Sequence, residues 1–546
     1  MRSARAQSSA AAPLLLSLPH GLDLGGVTSW AVRLANGLAT RGRVVGMVVH
    51  PRRDGHPPAQ LDFHPGVIRI IPDGWPHMGD AGGDLSPFLP MYRRAIEELG
   101  RAAYGARAGI GGPVVLSPNI LGDSYGIAAA LCTTQADTLR VLAWQHADSD
   151  YDSAVLRRYE PIVSKFVAID ARYVGTLGMA FPGRESDIAA IPHGVEVPDT
   201  LPSPRQPLAG RPLRLVYTGR IEHHQKRIGA LAFLSDELSR RGIDHRITVV
   251  GDGPAAAEFD AMIATRPRVT RLRSVSAAEV LAHLDASDAF VLASRFEGLC
   301  ISRIEAMARG CVPIITSANS GATSGLTDGQ SAVFVAAKPG DDEAAAAAHV
   351  ADGVERFLAS DRDAMAQAAW RAAREQFSLE AHVEQVAALV DAAAQGPARW
   401  WRTDWPSAFS SSRTAPGRSG STGPGAPELL GSLLASLAGR RIVLHGAGQH
   451  TLELAGVLAK SPAEIVALCD DDKQRWGTKF LGWPVVSPAE AAATSATDVV
   501  ISSYIHADSV WSRRAVYESQ GLRVHRIYPS PNTEQAAAAV LAAASA

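Results

Sequence analysis

Cysteine is scarce in this 546-residue chain, and the four present, Cys132, Cys300, Cys311 and Cys469, stand apart from one another. No close Cys pair and no Cys/His group at ligand spacing accompanies them. That excludes a disulfide framework and a zinc module and fits reduced thiols in the cytoplasm. Long apolar runs are also missing. None approaches the ~20 residues of a membrane-spanning helix, so any membrane contact is expected to be peripheral. The apolar stretch at 14–18 is too short for a signal-peptide core despite the arginines before it, and residues 1–13 read as a disordered lead. Excess charge is absent too: a net charge of −2 gives no bulk attraction to nucleic acid. The acids Asp148, Asp150 and Asp152 alternate without a calcium-loop pattern, and no metal is assigned to them.

What is present is a hydrophobic fraction of 46% with 20% charged residues, the composition of a globular protein. The length exceeds one core, and three domains are expected. Short apolar runs alternate with helical patterns from residue 14 onward, the signature of α/β domains with parallel sheets. The expected organisation is a first Rossmann-like lobe at 14–197 and a second at 198–395, facing a cleft. A Ser/Gly/Pro-rich linker at 396–427, a third small Rossmann-like domain at 428–533 and a tail at 534–546 follow. The linker opens with WWRTDW (400–405), whose three tryptophans suit docking on the two lobes, with a lipid interface as the alternative.

The richest stretch is SRFEGLCISRIEAMARG, residues 294–310. A buried-strand pattern at 289–294 leads into Gly298, expected to make a sharp turn, and then into a helix from about Ile301 to a glycine stop at Gly310. The helix amides around Leu299, Cys300 and Ile301 are candidates to receive an anion, with the carboxylates of Glu297 and Glu305 taking hydroxyls. Two more elements offer the same chemistry. Gly25 and Gly26 lie in the first strand-to-helix loop, and YTGRIEHHQKR supplies Arg220 and Lys226 just after another strand, cations placed to meet an anion. His146, in VLAWQHADSDYD, follows the strand pattern at 141–144.

Glu297 and Glu305, with seven residues between them in an EGL…EAMA-G frame, resemble the donor-site signature of the retaining family 4 glycosyltransferases, which have the GT-B fold. The resemblance covers roughly residues 14–395. It implies that Glu297 contacts the hydroxyls of a donor sugar, Glu305 holds the ribose of its nucleotide, Arg220 and Lys226 bind the diphosphate, and the Gly25–Gly26 loop closes over it. It also implies that His146 reaches the donor sugar, that the last helix of the second lobe crosses back to the first, and that transfer retains anomeric configuration without a metal. The donor would be a nucleoside-diphosphate sugar and the acceptor a glycan or lipid-linked hydroxyl. One departure stands out: where the family has a glycine turn and Pro-Glu, this chain reads ATSGLTDGQS after 321, so sugar contacts near 320–323 are expected to differ.

In the third domain Gly446 and Gly448 follow a strand at 442–445, and Asp470 ends the next one, a partial dinucleotide fingerprint whose third glycine is replaced by Thr451. It marks a candidate second site for a nucleotide or an NAD-like ligand. Alternatives to a transferase are a sugar-nucleotide epimerase, a phosphorylase, for which no pyridoxal lysine site is evident, or a degenerate scaffold whose third domain senses a nucleotide.

Overall fold

Three parallel-type sheets organise the chain. The computed structural model describes residues 11–52, 58–81, 83–105, 112–147, 149–202, 207–273, 275–317, 321–338, 340–409, 426–503, 510–511 and 513–528. The chain divides into two compact units, residues 1–414 and 415–546.

The first unit holds two lobes. In the first, β1 (Leu14–Leu18), β2 (Val45–Val49), β3 (Val67–Ile70), β4 (Val114–Ser117), β5 (Leu139–Gln145), β6 (Val163–Ala168) and β7 (Ile188–Ala190) form one sheet in the order β3-β2-β1-β4-β5-β6-β7. In the second, β8 (Leu213–Thr218), β9 (His245–Val250), β10 (Val269–Leu272), β11 (Ala289–Leu292), β12 (Val312–Thr316) and β13 (Val333–Val335) run β10-β9-β8-β11-β12-β13. Strands β1, β2, β4, β5, β11 and β12 are buried along their whole length, as their unbroken apolar runs require once helices cover both faces. Strand order reverses between β1 and β4 and between β8 and β11. At such a switch point the flanking loops leave in opposite directions and open a crevice at the carboxyl ends of the strands. The loops after β8 and β11 carry Arg220 and Glu297 respectively.

Helix Leu379–Gln395 joins the lobes. Its Val383, Val386, Val390 and Ala393 enter the core of the first lobe, and the Ala12 amide and Arg43 both hydrogen-bond Asp391. Its start is fixed by Val195, whose amide donates to Phe377 O at 2.9 Å and whose carbonyl accepts from the Leu379 amide at 2.8 Å.

Two sequence expectations change at the borders. Ala12 is 4% exposed and bound to Asp391, so the packed chain starts before residue 14; residues 1–10 lie outside the described ones. The segment 396–409, expected as the start of a linker, instead covers the first lobe. The Gly396 carbonyl accepts from Arg140, the Trp401 amide donates to Cys132 O, Tyr159 donates to Ser407 O at 2.7 Å, and the Phe409 amide donates to Asp123 at 2.7 Å. Trp401 is buried against Tyr159, while Trp400 and Trp405 are half exposed. Apolar surface at Trp401, Ala408 and Phe409 outweighed the local polar composition. Residues 410–425 lie outside the described ones, and helix Ala426–Ser436 begins where the linker was expected to end.

In the second unit β14 (Arg441–His445), β15 (Glu464–Cys469), β16 (Lys479–Phe480), β17 (Trp483–Val486), β18 (Asp498–Ile501) and β19 (Arg523–Arg526) form a sheet ordered β16-β17-β15-β14-β18-β19, antiparallel only at β16–β17. No described helix is long and apolar enough to cross a membrane.

Candidate active site

The turn after β11 is built around a buried carboxylate. Glu297 is 5% exposed, and its Oε1 accepts from Lys226 Nζ at 2.6 Å and from Ser294 Oγ at 2.6 Å, while Oε2 accepts from Gln225 Nε2 at 3.3 Å. Lys226 is itself largely buried, and the adjacent carboxylate holds its ammonium above the usual lysine value against the desolvation that burial imposes. The loop that presents Lys226 is cross-braced: the amides of Gln225 and Lys226 donate to Glu222, and the Gly229 amide and His223 both bind Glu343. Arg220 is exposed at the mouth, with Nη2 on Gln225 Oε1 at 3.3 Å. Lys226 and Glu297, expected on different parts of a ligand, are joined in one ion pair.

The turn differs from expectation in which residue bends it. Cys300, not Gly298, takes the left-handed conformation, at φ 62° and ψ 81°, and caps helix Ile301–Ala308 without a side-chain hydrogen bond. Gly298 is required for space instead: a Cβ there would clash with the carbonyl oxygen of His146. A Cβ at Gly321 would in turn clash with the Gly298 carbonyl, so the three loops touch backbone to backbone. Arg303, fully buried, donates to Ser324 O at 2.7 Å and to Leu299 O at 3.2 Å and lies over Phe377, fixing the turn from behind. Burial without a carboxylate partner pushes its guanidinium down to about 10.

Opposite stands helix Gly26–Thr40 of the first lobe. Its N-cap, Gly25, makes no side-chain cap, its first turn has no acid, and Gly26 lies against Ile301, from whose Cδ1 a Cβ would be 3.4 Å away. Two uncapped helix starts therefore meet across one crevice, each with amides that its own helix cannot satisfy. Farther along the two helices Glu305 pairs with Arg33, a residue that no sequence motif marked.

His146 ends β5 with its ring buried. It stacks on Trp144 at 5.8 Å and packs edge-on to Trp30 at 5.1 Å, and neither ring nitrogen has a hydrogen-bond partner. Burial pushes its imidazolium down to about 3. His193 and His382 complete a neutral cluster around Trp30, whose Nε1 donates to His382 Nε2 at 2.9 Å. Asp152 accepts from the Ala147 amide rather than facing a cation; Asp148 lies outside the described residues, as does Ser320. Among the described residues no group of acids, histidines or cysteines could hold a metal ion.

In the third sheet Gly446, at φ 117°, lies against the Ser502 carbonyl, and Thr451 hydrogen-bonds Gly446 O and Ser502 Oγ. Asp470 accepts from the amides of Ala447 at 2.7 Å and Asp472 at 2.9 Å. Asp470 thus already takes up one amide of the Gly446–Gly448 turn. Gly448 caps a helix of only five residues, Gln449–Glu453, with open space beside its Cα.

Residues 212–355 match the family of glycosyl transferases group 1. A curated relative, the alpha-D-kanosaminyltransferase of Streptomyces kanamyceticus, is 29% identical over 190 residues; the match takes in 34% of this chain and 47% of that protein, about half its length. Among solved structures, sucrose-phosphate synthase from Thermosynechococcus elongatus superposes with a TM-score of 0.54 at 17% identity, covering 69% of this chain and 98% of the other. The pneumococcal O-GlcNAc transferase GtfA, solved with UDP and GlcNAc, gives 0.54 at 11% identity over 71% and 100%. The two lobes thus have the GT-B fold.

Proposed function

We propose that this chain is a retaining glycosyltransferase that moves a sugar from a nucleoside-diphosphate donor to a hydroxyl of a glycan or lipid-linked acceptor, in the cytoplasm or at its membrane face. The observation that carries the reading is the buried Lys226–Glu297 pair beside the start of helix Ile301–Ala308, with the Gly25–Gly26 helix start facing it. A buried lysine and a row of unsatisfied amides suit a diphosphate, while Glu297 and Glu305 suit hydroxyls. The group 1 family match over 212–355 spans these second-lobe residues. The relative's name specifies a kanosamine donor sugar for that protein, and the titles of solved neighbours specify UDP for theirs.

In this reading the anomeric C–O bond to the diphosphate breaks as the acceptor oxygen attacks from the same face, and the acceptor proton passes to a diphosphate oxygen. Lys226, Arg220 and the amides of Leu299, Cys300 and Ile301 stabilise the charge that builds on the departing group. Glu297 holds both the sugar and Lys226, so it positions and tunes charge rather than attacking. The unpartnered ring of His146 and its backbone, which abuts Gly298, border the sugar. No metal and no cofactor enter the step. The third domain is read as structural or as an assembly module, since Asp470 already binds one amide of its glycine turn.

Calorimetry with UDP, GDP and ADP, followed by assay of nucleoside diphosphate release from the matching sugar donors, tests this. One nucleotide is expected to bind, and Glu297→Ala is expected to abolish most turnover while keeping that binding. Binding without release from any donor would favour the sensor reading, and near wild-type turnover in the variant would sink the role of Glu297.

A further inference from the structure

Arg33 lies two helical turns beyond Gly26 on the same face of helix Gly26–Thr40, so it points toward the crevice that the glycine loop opens. Its Nη2 donates to Glu305 Oε1 on the other lobe. Its Nη1 is buried and meets no acceptor. An unsatisfied buried donor on a charged group is expensive, and the cleft is where an acceptor could arrive. A carboxylate alone can only accept from a diol, whereas a ribose hydroxyl both donates and accepts.

We propose that Arg33 is the first-lobe half of the ribose site: the hydroxyls of the donor nucleotide give their protons to Glu305 and receive the free Nη1–H of Arg33. This rests on the transferase reading above and on Glu305 as its ribose acid. Because the two side chains come from different lobes, a nucleotide bound between them ties the lobes together, and a ligand lacking the diol does not. Arg33 therefore selects for ribonucleotide donors and makes closure depend on the ribose. Burial works against the Arg33 charge, and the Glu305 carboxylate, with a smaller push from Glu196, more than offsets it.

The test uses the full chain and calorimetry with UDP, GDP and ADP, with the 2′,3′-dideoxy form of whichever nucleotide binds tightest, and with inorganic pyrophosphate. Arg33→Gln is expected to weaken the ribonucleotide about 10- to 100-fold, the range of one charge-assisted hydrogen bond, while pyrophosphate and the dideoxy nucleotide bind the variant and the wild type alike. Arg33→Lys, which keeps the ion pair with Glu305 and so the packing, serves if the glutamine variant does not fold; it is expected to lose at least about threefold for the ribonucleotide alone. Unchanged ribonucleotide affinity would overturn the inference. Tighter binding would overturn it as well, since Arg33 would then compete with ribose for Glu305. So would equal weakening of all three ligands, which would assign Arg33 to the diphosphate or to folding. If no nucleotide binds the wild type, the transferase reading itself falls, and this inference with it.

Discussion

Acid should unfold the first lobe well above the pH at which carboxylates titrate. Four buried imidazoles of that lobe are neutral in the folded chain: burial pushes His50 and His146 down to about 3, His382 to about 4, and His193 well below its ordinary value, with His146 and His382 adding to the effect on His193. The geometry agrees for His382, whose Nδ1–H donates to Pro192 O at 2.7 Å while Nε2 accepts from Trp30, so a second proton would set N–H against N–H. A depressed histidine pKa means that the unfolded state binds the extra proton. Stability is therefore intact above about 6.5 and falls as pH drops below it. From pH 6.5 to 5 each such imidazole forfeits about 1.6 kcal/mol. Asp152, pushed up to about 6 by burial, works in the opposite sense, because the folded state takes its proton first. The net loss is on the order of 5 kcal/mol. Urea unfolding followed by tryptophan fluorescence at pH 6.5 and 5 reads it directly. His382→Gln, which keeps an acceptor for Trp30 and a donor for Pro192, should reduce the loss between pH 6.5 and 5 by about 1.6 kcal/mol. An unfolding midpoint unchanged over this range, or the same slope in the variant, would refute the reasoning.

Gly298→Ala should cost about 100-fold in turnover, since its methyl meets the His146 carbonyl and moves the loops that frame the crevice; Gly175→Ala, in open space, is the control, and equal steady-state rates for the two would contradict the packing argument. A chain ending at Gln395 should melt well below one ending at Phe409, because it loses Trp401 from the first-lobe core, a deletion of about 3–5 kcal/mol; coincident melting curves would show that the segment contributes nothing.

Much of the lobes was legible because parallel strands buried on both faces are continuous apolar runs, and the alternation from β1 to β13 stands in the sequence as such. The EGL…EAMA-G stretch was legible for a related reason: strand, turn and helix are contiguous, so Glu297, Glu305 and the helix start are fixed by local geometry. At 396–409 the polar composition pointed to a linker while the tryptophans pointed to docking; Trp401 is buried against the first lobe, so the aromatic signal was the better guide there. Local pattern suggested that Gly298 bends the turn, whereas Cys300 does.

Sequence by itself determined the α/β class and the positions of the two acids and the glycine loops, since these depend on residue type and short spacing. Only the tertiary structure decided that Lys226 neutralises Glu297, that three histidines gather around Trp30, that Asp470 binds the Ala447 amide, and that Arg33 reaches Glu305. Those contacts join residues 23 to 352 positions apart. Their partners are chosen by how the sheets stack and the lobes close, which no local pattern encodes.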